Sequence, residues 1–393
     1  MGLTASPLFP QPVSGYRRPD GRIGVRNHVV AMAAASNMNP VVRRLAAAVP
    51  GVTPLPAAYV RGQLGRDLEI TLDAMAGLAA HPNVATCLVV GFEPESTERL
   101  AQRVRTRGRE IRTLALLDAG GMTPTLARGQ AILHELCEAT AAQAREPLAP
   151  EQLLVGLECG GSDFTSGLVG NPALGAFTDA LIDAGGSAIF SEPVECLGGE
   201  PLLVRRAATP EAARAIVATI RRYHDIALAQ GVDLTGVNPT ADNIAGGLST
   251  IEEKSLGAIA KTGQRPIQGV ISYGEPPPHR GLWLMEAPAE AVENLTALGA
   301  AGVQVLVFVT GSGNPVGHPL VPTVKVCANP DTATRMGEHL DVDLSNSLLG
   351  EFDTVEGGHR IGAVVAEVLN GRETAAERLG FVESMISRFG RSV

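Results

Sequence analysis

The sequence alternates short, almost wholly apolar runs with segments that have the composition of helices. Val84–Gly91 is a nearly continuous apolar run that precedes a predicted helix from Glu95, and Val305–Val309 is entirely apolar. Strands of this kind are buried on both faces, which is typical of parallel sheets whose crossover helices cover both sides. The alternation therefore predicts an α/β fold in which mainly parallel sheets are flanked by helices.

A linker-like segment interrupts this alternation and divides the chain into two predicted domains. With 393 residues the chain is long enough for two. We predict an N-terminal α/β domain over residues 1–146, which begins with an extended arm over residues 1–14 that contains three prolines. Residues 145–152 have the composition of a linker. A C-terminal α/β domain, predicted over residues 151–393, carries the glycine-rich loops.

Composition limits the compartment and the partners. The net charge of −9 and the scattered arginines predict that neither nucleic acid nor an anionic membrane is a partner. The sequence has no run of about 18 apolar residues and no signal-peptide pattern at its start. The five cysteines are widely spaced, without a C-x-x-C pair. We therefore expect a cytoplasmic protein without a disulfide framework, and a small anionic substrate is compatible with local arginines.

Residues 157–175 combine the features of a ligand site. They read LECGGSDFTSGLVGNPALG and lie between a predicted strand over residues 153–157 and a predicted helix over residues 172–184. Glycine permits close approach of the backbone to a ligand, and a glycine-rich turn before a helix presents N–H groups that favour an anion. A tight loop around a simply buried Cys159 would contain the same glycines, but the density of polar groups favours a site.

Three further segments place polar groups in similar settings. Residues 15–28 (GYRRPDGRIGVRNH) are rich in arginine, which suits a bidentate grip on carboxylates. In residues 238–263 a loop leads into a helix on which Lys254 and Lys261, seven residues apart, share a direction unless they are only surface charges. Residues 310–319 (TGSGNPVGHP) follow the strand Val305–Val309 at its carboxyl end, where open α/β sheets bind ligands.

Four motifs occur together and in order, and through them residues 15–346 resemble the altronate/galactarate dehydratase family. They are GYRRPDGRIGVRN, ECGGSDFTSGLVGNPALG, GGLSTIEEKSLGAIAKTG and TGSGNPVGHPLVPTVK. The resemblance implies a lyase that eliminates water, or sulfite, from a small 2-hydroxy or sugar acid with the help of a divalent metal (Fe²⁺, or Mn²⁺ or Mg²⁺). It also implies a large-subunit module that works with a small SAF-type partner subunit, and we expect a homo-oligomer.

The chain departs from the family pattern where the resemblance implies metal ligands. Where the family has His-x-x-Gly-Cys, residues 61–65 read RGQLG, and where it has Gly-Cys-Glu, residues 91–93 read GFE. In the first of these motifs, the positions of histidine, glycine and cysteine are thus Arg61, Leu64 and Gly65 here, and the cysteine position of the second motif is Phe92. Histidine and thiolate are natural ligands for a transition metal, which leaves Cys159 and Glu192 as the predicted ligands.

Elimination chemistry assigns roles to the candidate residues. It needs a base for the proton α to a carboxylate, stabilisation of the developing charge, and an acid or metal for the leaving hydroxyl. Lys254 is predicted as the base or the enolate stabiliser, because a buried lysine shifts its pKa readily. Asp163 and Glu192 hold the metal with Cys159, or act as acid and base without it, and Glu253 completes the predicted catalytic set.

Residues from all four motifs are predicted to bind the substrate. Lys325 belongs to them because an unpaired lysine is costly to bury within an apolar strand, so it faces a site unless its strand lies at an edge. The predicted binding residues are Arg22, Arg26, Asn27, Ser162, Asn171, Asn243, Ser255, Gly311, Gly313 and Lys325. Arg22 and Arg26 would clamp the carboxylate.

Two alternatives to a dehydratase fit the same motifs. A sulfo-lyase would release sulfite instead of hydroxide, and the motifs do not distinguish these leaving groups. A non-catalytic paralogue would keep the anion pocket without the metal, which the fold alone permits. The groups retained at residues 159–163 and 253–255 favour an enzyme over such a binding protein.

Overall fold

The computed structural model describes residues 8–390 and 392–393, and it confirms the predicted α/β class. Two parallel sheets, each flanked by helices, form the two halves of the chain. Residues 1–7 of the predicted arm lie outside the described residues. The rest of the arm packs against the C-terminal half, where Phe9 and Val13 are buried in the core.

The N-terminal half is a four-stranded parallel sheet in the order β4-β3-β5-β6. Its strands are β3 (His28–Ala33), β4 (Val52–Leu55), β5 (Val84–Gly91) and β6 (Arg112–Ala115); β1 (Ser14–Arg17) and β2 (Ile23–Gly24) precede them. Its helices are α1 (Asn39–Ala48), α2 (Gly65–Ala79), α3 (Pro94–Thr106), α4 (Leu116–Ala119) and α5 (Met122–Ala141). The apolar run over residues 111–118 forms β6 and then turns into α4 after Ala115.

The C-terminal half is a seven-stranded parallel sheet in the order β10-β11-β9-β8-β12-β13-β14. After β7 (Glu146–Pro147) its strands are β8 (Leu154–Cys159), β9 (Ser187–Phe190), β10 (Ile267–Ile271), β11 (Leu282–Met285), β12 (Val305–Val309), β13 (Thr323–Cys327) and β14 (Val342–Asp343). Its longer helices are α6 (Asn171–Asp183), α8 (Pro210–Ala229), α11 (Ile251–Ala260), α12 (Ala291–Ala300) and α14 (Thr354–Leu369). Its shorter helices are α7 (Glu200–Arg205), α9 (Leu234–Val237), α10 (Ala241–Ala245), α13 (Pro330–Met336) and α15 (Ala375–Leu379).

The order of these strands creates a crevice beside β8. From β8 the chain builds β9, β10 and β11 on one side and then returns to build β12 on the other side. Loops that leave β8 and β12 at their carboxyl ends therefore meet at a topological switch point, where open α/β sheets bind ligands. We call the edge at which these parallel strands end the carboxyl edge. Among the described residues, no helix is long and apolar enough to cross a membrane.

Buried polar contacts join the two halves. Asn83, which precedes β5, donates to the backbone carbonyls of Gln304 (3.0 Å) and Leu320 (2.9 Å). His81 Nε2 lies 2.9 Å from the carbonyl oxygen of Val303. A small antiparallel sheet in the order β2-β1-β7 closes the same junction. Because these groups are buried, the loss of any of these hydrogen bonds would leave a polar atom unsatisfied, which is costly. The hydrogen bonds therefore fix how the two halves meet.

Three buried histidines make this junction sensitive to acid. Burial lowers the pKa of His28 to about 4 and that of His318 to about 3, and it also lowers the pKa of His81. The folded state therefore holds these histidines neutral at pH values where the unfolded chain protonates them. Their contribution to stability is complete above pH 6.5, their ordinary pKa, and is lost as the pH falls toward the folded values.

We expect the free energy of unfolding to fall by about 2 kcal/mol each for His28 and His318 between pH 7.5 and pH 5, because one pKa unit corresponds to about 1.4 kcal/mol. His81 should add to the fall in the same direction. Urea denaturation at the two pH values measures the change. In the parent protein, His318 Nδ1 accepts a hydrogen bond from the backbone N–H of Leu320 at 3.2 Å. The variant His318→Asn keeps an acceptor for this N–H, but its side chain does not titrate. It should lose less stability on acidification than the parent protein; an equal loss would show that the acid sensitivity arises elsewhere.

Candidate active site

The loops that follow β8 and β12 interlock at the carboxyl edge. Gly160 N donates to Val309 O at 3.1 Å, and the backbone N–H groups of Gly311 and Ser312 donate to Gly161 O at 3.1 and 2.9 Å. Gly161 has φ of +64° and sits so close to Ser312 that a Cβ atom would collide with its side chain. Both requirements select glycine, which explains the Gly-Gly pair of the sequence motif.

Asp163 fastens these loops together. Its carboxylate accepts from Thr165 Oγ1 (2.7 Å), from the backbone N–H of Ser166 (3.0 Å) and from Asn329 Nδ2 (2.7 Å). Gly311 is packed against the same carboxylate, and a Cβ there would collide with it. Asp163 is therefore at the site, as predicted, but its oxygens are committed to the protein. The structure gives it an organising position.

Cys159 ends β8 beneath this loop. Its Sγ lies 2.9 Å from Ser162 Oγ and accepts from Asn171 Nδ2 at 3.3 Å. Burial raises the pKa of the thiol to about 11. At neutral pH Cys159 is therefore a protonated thiol held by neutral groups, which is the form that binds metals poorly.

Two lysine–glutamate pairs are buried beside Cys159. Lys261 Nζ lies 2.8 Å from Glu192 Oε2, and Lys254 Nζ lies 3.0 Å from Glu195 Oε1. The glutamates come from the turn after β9, and the lysines come from α11 and the residue that ends it. We call these four residues the lysine–glutamate cluster. The seven-residue spacing of the lysines does give them a shared direction, because both reach the same turn.

The Lys261–Glu192 pair lies deepest in the cluster. The side chain of Lys261 is 2% exposed and that of Glu192 is 1% exposed. Burial raises the pKa of Glu192 to about 7, although the Lys261 ammonium opposes this shift. Burial would lower the pKa of Lys261, but Glu192 and the other acids nearby outweigh it and raise that pKa. Lys261 therefore remains a cation. Glu192 also adopts the left-handed backbone conformation, with φ of +67°, which is strained for a residue other than glycine.

Lys254 is held as an ammonium ion by three acceptors. Besides Glu195, its Nζ donates to Asn238 Oδ1 at 3.0 Å and to Asn243 Oδ1 at 3.1 Å. Asn243 lies on α10 and donates in turn to Ser162 O at 2.9 Å. These contacts connect the lysine to the glycine-rich loop. Because all three bonds favour the charged form, the structure favours Lys254 as a charge stabiliser over Lys254 as a base.

A cavity of about 290 Å³ opens beside Lys254, and we call it the site cavity. Its lining is polar at the base and apolar at the rim, and comprises Ser162, Asp163, Phe164, Ser166, Gly167, Leu168, Asn171, Leu248, Glu253, Lys254, Leu256, Gly257 and Ala258. Two buried acceptors of this region, Asn171 Oδ1 and Glu195 Oε2, have no partner among the described residues. Because an unpaired buried acceptor is costly, Asn171 Oδ1, which belongs to a lining residue, is suited to receive a ligand's hydroxyl donor, whereas Glu195 lies behind the lining against Lys254.

The structure therefore brings together predicted residues from three of the four motifs, and with them Glu192 and Asn243, which lie outside the motifs. Those at the site are Cys159, Ser162, Asp163, Asn171, Glu192, Asn243, Lys254 and Gly311. Glu253 lies at the rim, where its carboxylate accepts from Ser249 N at 2.8 Å and caps α11. Gly313, with φ of +87°, shapes the turn against Thr332 and Met336.

The predicted residues of the first motif lie elsewhere. Arg22 pairs with Asp20 at 2.7 Å and lines a different cavity, beside Leu154 and Ser187, where β8 and β9 begin. Arg26 pairs with Glu377 at 2.8 Å. Asn27 accepts from Arg18 and donates to Thr140 O. These contacts are made within the fold, and none of the three residues lines the site cavity.

Two further predicted binding residues, Ser255 and Lys325, do not line the site cavity. Ser255 Oγ donates to Leu197 O at 2.7 Å and positions α11 against the turn after β9. Lys325 is buried within β13, with its Nζ 3.3 Å from the centroid of the Phe308 ring. In the register of the sheet, Lys325 and Phe308 are aligned with Glu158, so Lys325 projects from the face opposite to that of Cys159.

Sequence reasoning missed several residues of the site. Glu195, Asn238 and Asn329 were not selected, although each contacts a selected residue. One signal was available for Glu195, because it follows Glu192 by three residues in a turn. The asparagines gave no such signal, since their positions depend on loops that meet only in the fold.

The side chains present do not fit a resident metal ion. Among the described residues, no three His, Cys, Asp or Glu side chains are grouped so that they could hold one. Of the two predicted ligands, Cys159 is a buried thiol and Glu192 is paired with the Lys261 ammonium. The lysine–glutamate cluster thus supplies its own cation beside Glu192. We therefore assign no chemical step to a metal.

The family's histidine and cysteine positions do meet in the N-terminal half, without metal donors. Arg61, after β4, lies 3.5 Å from Glu93, after β5, and its guanidinium lies 5.9 Å from the centroid of the Phe92 ring. Leu64 is 67% exposed. These side chains offer an ion pair and apolar surface in place of imidazole and thiolate.

We expect Lys261→Met to lower the free energy of unfolding by about 3–5 kcal/mol, because it leaves the Glu192 carboxylate buried without its counter-ion. The double variant Lys261→Met/Glu192→Gln, which removes both charges, should recover a substantial part of that loss. Urea denaturation of the parent, single and double variants measures both effects. Exposed ion pairs typically contribute less than about 1 kcal/mol. If Lys261→Met lowered the free energy of unfolding by no more than this, the result would contradict a buried ion pair.

Comparison with known proteins agrees with the motifs. The model of the D-galactarate/altronate dehydratase C-terminal domain matches residues 150–392, and that of the second domain of D-galactarate dehydratase/altronate hydrolase matches residues 15–141. The beta subunit of (2R)-sulfolactate sulfo-lyase from Chromohalobacter salexigens is 36% identical, over 96% of this chain and 97% of its own length. Altronate dehydratases from Bacillus subtilis and Escherichia coli are 34% and 32% identical, over 87% and 95% of this chain and 70% and 77% of their own lengths.

Proposed function

Because the chain belongs to the galactarate/altronate dehydratase family and is a lyase, we propose that it eliminates water from a small hydroxy acid bound in the site cavity. The observation that carries this proposal is the Lys254 ammonium, which is held by Glu195 and two asparagines and lines a cavity large enough for such an acid. A fixed cation in a sheltered site is suited to a carboxylate whose charge increases during reaction.

The substrate carboxylate replaces Asn238 or Asn243 as an acceptor of the Lys254 ammonium, whose three hydrogens are otherwise donated to protein oxygens. Lys254 then stabilises the aci-carboxylate that forms when the neighbouring carbon loses its proton. Glu195 is the base, because its Oε1 is bound to Lys254 while its Oε2 is free of partners among the described residues. The electron pair of the broken C–H bond forms the C=C bond, and the β-hydroxyl leaves. The carboxyl of Glu195 then gives the same proton to the departing hydroxide, which leaves as water. This requires the α proton and the β-hydroxyl to lie on the same face of the substrate.

Lys261 and Glu192 act as positioning residues behind this pair. Glu192 begins the turn that carries Glu195, and its buried bond to Lys261 holds that turn against the end of α11. Asp163 holds the loop that forms the opposite wall of the cavity. These residues are proposed to set geometry without touching the substrate.

Release of sulfite is the second candidate for the leaving group. It is favoured by the full-length similarity to the sulfo-lyase beta subunit. Because that relative is named as one subunit, we also propose that this chain works with a second, small SAF-type subunit. Exposed apolar residues at the rim of the site cavity, Phe164, Leu168 and Leu256, support a protein partner there. The cytoplasm is the proposed compartment.

We expect Lys254→Ala to lower kcat/KM by about 10²–10³-fold, the loss typical of one stabilising group. Glu195→Gln should lower kcat by about 10²–10⁴-fold with a smaller effect on KM, because a base acts in the transition state. Arg214→Ala, which removes an exposed pair with Glu211 on α8, is the matched control and should retain parent rates. Near-normal turnover by Lys254→Ala would refute its role.

The substrate is tested with altronate, galactarate and (2R)-sulfolactate, which we call the three-acid panel. Each acid is incubated with the chain alone and with an added SAF-type subunit, and 2-keto product and sulfite are measured separately. We expect 2-keto product without sulfite. Sulfite release from sulfolactate would establish the second candidate, and no product from any acid in either condition would favour a binding protein.

A further inference from the structure

The charges around the site cavity are unevenly balanced. Among the described residues that line it, Lys254 is the cation, whereas Asp163 and Glu253 are anionic. Behind this lining, Lys254 is already paired with Glu195 and Lys261 with Glu192. The two lysines therefore face four acids, and no cation of this group is left for a second anionic group of a ligand.

The region on the other side of residues 162–163 has the same bias. There a second cavity, of about 310 Å³, is lined by Asp163, Asp242 and Asp331 together with a single arginine, Arg335, among the described residues. A ligand long enough to extend past Asp163 would again meet an excess of negative charge. In both directions of extension from Lys254, the acids that line the cavities outnumber the cations.

The remaining polar lining of the site cavity is neutral and suited to hydroxyl groups. Asn171 is buried, lines the cavity and has an Oδ1 without a partner, while its Nδ2 is occupied by Cys159. Ser162 and Ser166 also line the cavity. A free amide oxygen accepts a hydroxyl proton but repels a carboxylate or sulfonate oxygen.

We infer that the site selects a hydroxy acid with one anionic group and a neutral, hydroxylated chain, and discriminates against acids with a second carboxylate or a sulfonate. The inference rests on the proposed binding of a hydroxy acid at Lys254. The first carboxylate meets the ammonium, the hydroxyls meet Asn171, and a second anion would lie near Asp163 or Glu253. Juxtaposed like charges in a sheltered site are strongly unfavourable.

Calorimetric titration of the full chain with the three-acid panel tests the inference through binding alone. We expect the monocarboxylate to bind at least about tenfold more tightly than the dicarboxylate or the sulfonated acid. This ratio should shrink as ionic strength rises, because salt screens the repulsion. Equal or tighter binding of either dianion would overturn the inference while leaving the elimination reaction intact. Absence of binding by all three acids would overturn the inference and the proposed function together.

Substitutions at the rim provide a second test that does not depend on the absolute affinities. Glu253→Gln removes one negative charge but keeps an acceptor for the backbone N–H of Ser249. It should reduce the ratio of monocarboxylate affinity to dianion affinity by about two- to fivefold. Glu252→Gln makes the same change on the neighbouring residue, which does not line the cavity, and should leave the ratio unchanged. Asn171→Ala should weaken the binding of the polyhydroxylated acid more than the binding of acetate, which has no hydroxyl group. Equal effects of Glu253→Gln and Glu252→Gln would contradict the inference.

Discussion

The buried pair between Lys261 and Glu192 is the interaction on which the rest of the site depends. Two opposite charges at 2.8 Å, both almost wholly buried, are stable only while each has the other. The pair ties the end of α11 to the turn after β9, and that turn places Glu195 against Lys254. This one buried contact thus fixes the end of α11 and the turn after β9, and through them it fixes the position of the Lys254 ammonium that lines the cavity.

The same pair gives a physical account of how this chain differs from the pattern that its motifs resemble. The positions that would carry histidine and cysteine, Arg61, Gly65 and Phe92, carry no metal donors, and Cys159 is a buried thiol. A metal ion contributes positive charge to an elimination site. In the proposed reaction ammonium groups contribute it, and their acceptors are oxygen atoms of Glu192, Glu195, Asn238 and Asn243.

Much of the fold and part of the site followed from local pattern. Continuous apolar runs such as Val84–Gly91 and Val305–Val309 became strands with the predicted bounds, because a strand buried on both faces must be apolar throughout. Cys159, Asp163 and Lys254 met at the carboxyl edge because parallel strands and their helices bring their ends there. Arg22 and Arg26 lie away from the site cavity, since arginine content says nothing about which acid or carbonyl each one meets.

The sequence by itself determined the α/β class, the family and the loops that form the site, because these depend on periodicity and on motifs continuous along the chain. Only the tertiary structure decided the partners: Glu195 for Lys254, Glu192 for Lys261, and the opposite face of the sheet for Lys325. When a charged side chain and its counter-ion are far apart in the sequence, the role of that side chain depends on how deeply it is buried and on the distance between the two charges. Those quantities exist only once the strands have taken their order.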